Sequence, residues 1–204
     1  YSLFLNFAFS PLFSVGFPTL MRIQLERNAW EIGWLDIVFS IAMMITGVVI
    51  GSIKLKSMAK TIRTSLLLLV ITFMLMTLNI YLLHFNVIDY WTFYIIFMAM
   101  HVSMAVFMMA TNVPLNTGMV KVIEPSVRGR VFATIGALTS GLTPIAIILS
   151  GFLIEATSVA FLGLVCSGLL LIPTFGFLTN KKVRVLLQGI EDESNEPKEL
   201  VLEG

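Results

Sequence analysis

Charge is scarce in this chain. Of 204 residues only 12% are Asp, Glu, Lys or Arg, against roughly 25% in an ordinary soluble domain. With so few cations no basic face can form, which excludes nucleic acid as a partner. Cysteine is scarcer still. Cys166 stands alone, so there is no disulfide framework and no thiolate metal site. It lies in an apolar run and reads as a small buried hydrophobe. The two histidines, His84 and His101, fall on different segments without a carboxylate cluster, which leaves no metal set. An intramembrane serine protease would need Gly-x-Ser-Gly ahead of a later histidine. Here Leu138 occupies the glycine position before Ser140-Gly141, and both histidines come earlier. The chain therefore reads as a non-enzyme without cofactor. No basic leader precedes the first apolar stretch, which argues against a signal peptide. The start at Tyr1 suggests a fragment that begins at the edge of a membrane helix.

What the chain has is hydrophobic length. Its residues are 57% hydrophobic and its mean hydropathy is +0.94. A membrane span needs roughly 20 mostly apolar residues, and six stretches qualify: 1–21, 30–53, 65–83, 91–115, 131–154 and 159–179. Long continuous runs predict helices rather than the alternating ten-residue strands of a barrel. The expected fold is an all-α integral membrane bundle over 1–184, with 185–204 a disordered acidic cytoplasmic tail. Cations gather in alternate connections: Lys54, Lys56, Lys60 and Arg63; then Lys121, Arg128 and Arg130; then Lys181, Lys182 and Arg184. The opposite loops hold only Arg22 and Arg27 as cations. Positive residues mark the cytoplasmic side, so both ends of the chain are expected there in a multi-pass plasma-membrane protein. Trp30, Trp34, Tyr90 and Trp91 fit an interfacial aromatic belt at the outer ends of spans two and four.

The polar stretch 112–131 is the hinge of the sequence. Pro114, Gly118 and Pro125 are expected to stop one helix and start the next. Arg128 and Arg130 then sit at a helix N-terminus, where the macrodipole disfavours cations. A faint repeat is present: Pro18 ends span one with Gly33 fifteen residues on, and Pro114 ends span four with Gly129 fifteen residues on. Two three-helix units in one chain must be inverted relative to each other, an arrangement found in transporters that bind near the midplane.

Several residues stand out on these spans. His101, Met108 and Asn112 share one face of span four at helical spacing, and Asn6, Ser10 and Ser14 form a polar stripe on span one. These are the candidate cavity linings, interhelical hydrogen bonding being the plainer alternative. Imidazole titrates near neutral pH when unperturbed, which makes His101 a proton-coupling candidate. Asp36 is the other, because a carboxylate inside a span is costly unless protonated, paired or wetted; it also lies close enough to the interface to reach back to it. Ser40, Gly47 and Gly51 on span two, and Gly136, Ser140, Pro144 and Gly151 on span five, form small-residue faces that let helices approach closely. Such faces serve static packing or a contact that slides.

Three stretches carry a resemblance. They are Leu3 and Asn6 through Pro18, Gly47-x-x-x-Gly51 with the basic loop up to Lys60, and Asn112-x-Pro114 leading to Pro125-x-x-Arg128-Gly129-Arg130-Val131-Phe132-Ala133. Together they make residues 1–184 similar to the C-terminal six-helix half of a major facilitator superfamily transporter, within the bacterial macrolide-efflux and siderophore-export branch. The glycine-and-basic loop here lacks the family's acidic residue and its Gly-Arg. The resemblance implies a twelve-span exporter working by alternating access, driven by a proton gradient and carrying a lipophilic drug or siderophore-like compound. It implies an N-terminal six-helix half as partner, in a setting of membrane lipid. It also places Asn6, Ser10, His101 and Asn112 at the cavity, and spans two and five against the missing half. An uptake permease on the same fold and a non-transporting oligomeric scaffold or sensor remain open alternatives.

Overall fold

In hydrocarbon no water satisfies a free backbone N–H or C=O, so a chain this apolar must close its hydrogen bonds within helices. The computed structural model describes residues 2–53, 55, 57–181 and 183. Over them run six helices long and apolar enough to cross a membrane. The first, α1, occupies 2–24. It joins the α-helical segments Ser2–Pro11 and Phe17–Thr19 with two π-helical segments, Leu12–Gly16 and Leu20–Gln24. The others are α2 (Ala29–Ser52), α3 (Met58–His84), α4 (Tyr90–Val122), α5 (Pro125–Ala156) and α6 (Val159–Thr179). The acidic tail 185–204, with Lys54, Lys56, Lys182 and Arg184, lies outside the described residues.

Two of the expected helix ends are wrong, for one reason. Pro18 does not end α1, which continues to Gln24, and Pro114 does not end α4, which runs through Pro114 and Gly118 to Val122. A proline removes one N–H and crowds a carbonyl of the preceding turn. In lipid, breaking the helix would strand far more backbone than this. α1 accommodates its prolines by widening: a π segment follows Pro11 and another follows Pro18, closed by Phe17 N–H to Leu12 O and by Leu25 N–H to Leu20 O at 2.9 Å. Only Pro125 acts as expected, as the first residue of α5, where its missing N–H has no helical partner to lose.

The connections are short and are fixed at their ends. Ser57, Asp89 and Ser158 cap α3, α4 and α6 by accepting from Lys60 N, from Trp91 N and Thr92 N, and from Phe161 N. Asp89 also accepts the Thr92 hydroxyl at 2.6 Å. That hydroxyl, with the neighbouring N–H groups, holds the carboxyl below its ordinary 3.8. A carboxylate whose folded value is depressed contributes stability above the unfolded value and loses it as pH falls through the folded one. The melting-temperature advantage of the wild type over Asp89→Asn is therefore expected to be full at neutral pH and to shrink as the pH drops below 3.8. Parallel curves for the two proteins down to that range would show that the cap charge contributes nothing.

The dipole conflict at Arg128 is resolved by direction. Its guanidinium folds back from α5, with Nη2 donating to Ile123 O at 3.1 Å at the end of α4. A C-terminal helix end favours a cation. Arg63, near the start of α3, does the same for α6, donating to Leu178 O at 3.1 Å.

The core forms where α1, α3, α4 and α6 meet, around the fully buried Leu12, Phe73, Met76, Phe93, Phe97 and Leu170. α4 packs against α2 and α3, α1 packs against α5 and α6, and α3 packs against α6. At the last crossing Thr77 Oγ1 lies 3.0 Å from Ser167 Oγ and 3.3 Å from Gly163 O. α2 and α5 are left largely uncovered. Glu31 and Leu35 are the buried residues of α2, and Ala146 and Ser150 those of α5.

Candidate functional site

A hollow of about 290 Å³ opens between α1, α2 and α4. The helical spacing of the polar residues on α1 brings Asn6, Ser10 and Ser14 to it, with Phe9 and Phe13 between them. From α4 come His101, Met104, Met108 and Asn112, and from α2 come Asp36 and Phe39. The π segment Leu12–Gly16 supplies Phe13 and Ser14 at this wall. Such π bulges are frequent where a helix does something other than pack.

His101 is the least ordinary residue of the lining. It is 6% exposed, and its Nδ1 is buried without a hydrogen-bond partner. Its ring sits among three phenylalanines, one from each helix of the hollow: Phe39 at 4.7 Å, Phe13 at 5.2 Å and Phe97 at 5.8 Å between centroids. A sealed, unpaired polar atom costs about 1–3 kcal/mol, and packing alone gives no reason to retain it. Asp36 is exposed, with Ser40 Oγ donating to its backbone oxygen at 2.8 Å. Asp36 and His101 are the titratable side chains of the lining, and no lysine or arginine contributes to it. The hollow thus offers aromatic and thioether walls for an apolar body, with a few hydrogen-bonding groups for orientation.

The other sequence candidates lie elsewhere. Gly47 is half-buried against α4, where an added Cβ would stand 2.9 Å from Met109 Cε. It therefore serves a contact inside the bundle. Ser40, Gly51, Gly136, Ser140 and Pro144 are exposed, and nothing lies within 4 Å of a Cβ added at Gly51, Gly136 or Gly151. Arg128 is half-buried at the turn, while Pro125, Gly129 and Arg130 are exposed there. Among the described residues no group of three or more His, Cys, Asp or Glu side chains is placed to hold a metal ion.

A second polar cluster was not singled out from the sequence. Glu31, in the first turn of α2, is 3% exposed. The Tyr90 hydroxyl donates to its carboxylate, and the Tyr94 hydroxyl donates to its backbone oxygen at 2.7 Å. The Arg27 guanidinium lies 3.5 Å from the centroid of the Tyr90 ring, within cation–π range. Trp30, Trp34 and Trp91 flank this end of the bundle and are exposed. The available signal was the one-turn spacing of Arg27 and Glu31 opposite two tyrosines, which an aromatic-belt reading absorbed.

No family model, no curated protein and no solved structure matches the chain.

Proposed function

We propose that this chain is the six-helix half of an alternating-access transporter of the major facilitator type, and that the hollow between α1, α2 and α4 is its share of a midplane binding site. The cargo is a lipophilic drug or siderophore-like compound, exported from a bacterial cell against proton entry. Asp36 and His101 are the groups that exchange the proton. The observation carrying this reading is the hollow itself. Polar residues from three separate helices converge on one hollow among the apolar spans, around an imidazole whose nitrogen has no partner.

Two further features support it. The close helix pairs nearly map onto themselves when α1 exchanges with α4, α2 with α5 and α3 with α6. The pairs α4–α2 and α4–α3 then become α1–α5 and α1–α6, and α3–α6 becomes itself. The α5–α6 contact is the one close pair without an equally close counterpart. Such an exchange is what two inverted three-helix units of a repeat-built transporter would give. The second feature is the bareness of α2 and α5, which suits a partner half against their small-residue faces.

The test is made on the native protein that contains this chain, reconstituted into liposomes with a proton-sensitive dye inside. A lipophilic substrate added against a pH gradient is expected to move protons. Asp36→Asn is expected to reduce that flux roughly tenfold, the equivalent of about 1.4 kcal/mol on one step, with membrane expression unchanged. Proton movement in the uptake direction would favour a permease. No solute-linked flux in either direction would leave the scaffold reading and end this one.

A further inference from the structure

The end of the bundle that carries Arg63, Lys121 and Arg128 holds a second hollow, of about 350 Å³, at the start of α3. Its lining is almost entirely hydroxylic: Ser57, Thr61, Thr64 and Ser65, with Lys60 as the charged member. It sits on the N-terminal turns of a helix of 27 residues, where the backbone dipole is positive. No carboxylate lines it. Arg63 is turned away, its guanidinium engaged on Leu178 O.

A helix start and a lysine are not by themselves a site. The second observation is Ser65. It is 7% exposed, lines the hollow, and makes no hydrogen bond with any described residue. A serine inside a helix ordinarily returns its hydroxyl to the carbonyl one turn back, and Thr61 does so at 2.9 Å to Ser57 O. Ser65 keeps its hydroxyl unspent at the wall of the hollow, on the side of the helix start, where the dipole is positive.

The third observation is the surface that leads away from it. Thr64, Leu67, Ile71, Leu75 and Leu78 follow at steps of three and four along α3, and all are exposed. From Thr64 to Leu78 the helix rises about 21 Å, longer than the roughly 15 Å of hydrocarbon in one leaflet. A hollow that carries four hydroxyl residues and one lysine, at one end of an open apolar track longer than one leaflet, matches an amphiphile with an anionic head. We infer that this hollow is a binding site for an anionic glycerophospholipid. The phosphate accepts from the Ser65 and Thr64 hydroxyls and from Lys60, and an acyl chain lies along the Leu67–Leu78 face. This site is separate from the cavity and does not depend on the transport reading.

Native mass spectrometry of the purified protein, from micelles doped equally with phosphatidylglycerol and phosphatidylcholine, tests it. The wild type is expected to retain phosphatidylglycerol about fivefold over phosphatidylcholine. Lys60→Gln and Ser65→Ala are each expected to lower its occupancy about fivefold, the scale of one cation or hydrogen bond at a charged membrane surface. Lys121→Gln, which removes an exposed cation from the same end, is expected to change nothing. Equal retention of the two lipids would overturn the inference, as would an equal loss in Lys121→Gln and Lys60→Gln. Displacement of the lipid by inorganic phosphate at matched concentration would overturn the lipid assignment and point to a free anion. Lys60 is exposed and Ser65→Ala removes an unpaired hydroxyl, so neither variant is expected to unfold the bundle, and a thermal melt on each confirms that the comparison is fair.

Discussion

His101→Leu is expected to melt no lower than the wild type, and to lose roughly tenfold or more of its transport. The two halves of this result come from the same atoms. His101 is sealed among Phe13, Phe39 and Phe97, and its Nδ1 has no partner. Leucine is close to it in volume and carries no polar atom. The substitution therefore removes a desolvation cost of about 1–3 kcal/mol while keeping the ring neighbours in contact. A residue held for packing would behave oppositely, since disturbing a filled core usually destabilises. Stability gained where function is lost marks a site whose strain is retained for activity. The measurement pairs a thermal melt with proton-flux assays on the same reconstituted preparation. A lowered melting temperature with flux in proportion would make His101 a structural residue and remove it from the mechanism. His101→Gln gives a second reading, because an amide keeps hydrogen-bonding capacity but has no ring nitrogen to take up and release a proton. If flux survives in His101→Gln, the side chain orients cargo; if flux falls there too, it carries the proton.

Much of this site was legible in the sequence, because a bilayer simplifies the problem. Polar side chains on a span are expected to turn away from lipid, so Asn6 and Ser10 on one helix, and His101 and Asn112 on another with Met108 on the same face, could be assigned to a common wall from their helical spacing. What the sequence did not show was which inward faces meet. The hydrophobic spacing of α2 is uniform enough that nothing selected Asp36 and Phe39 for the same hollow. The Phe13–Phe39–Phe97 surround of His101 is a tertiary fact about three helices. The span count was legible for the same reason, yet the helix ends near Pro18 and Pro114 were not. Proline rules learned in water overstate its breaking power where the alternative to helix is unsatisfied backbone in hydrocarbon. Arg128 shows the complementary failure. Its position in sequence puts it at an unfavourable helix start, and only the fold shows its guanidinium on the C-terminal carbonyl of the preceding helix.

Gly163→Ala is expected to lower the stability of the bundle by about 1–3 kcal/mol, the cost of overpacking a close contact, and Gly163→Leu to prevent its assembly. In lipid, helices gain nothing by hiding apolar surface from one another, so they associate through close backbone approach and interhelical hydrogen bonds. The α3–α6 crossing uses both. A Cβ on Gly163 would stand 2.9 Å from Thr77 Cγ2 and 3.2 Å from its Oγ1. Thr77 has little freedom to yield. Its branched Cβ restricts χ1, and its hydroxyl is engaged with Phe73 O, Gly163 O and Ser167 Oγ. The clash is therefore with a stiff side chain rather than with a flexible tip. This gives the prediction an internal check. In a Thr77→Ala background the obstructing Cγ2 is gone, and Gly163→Ala should cost much less than in the wild type, the difference being the coupling energy of the pair. Equal penalties in the two backgrounds would mean that the crossing relaxes some other way. Thr77 is 2% exposed, so Thr77→Ala has its own cost, which the cycle subtracts. A crossing this tight is also a poor place for motion. If, as proposed, the bundle moves against a second half, the α3–α6 contact travels as a rigid piece. Flexing then falls to α1, whose π segments break the regular hydrogen-bond ladder on either side of Phe17–Thr19. Hydrogen exchange should divide accordingly, with slow amides at Thr77 and Gly163 and faster ones across Leu12–Gly16.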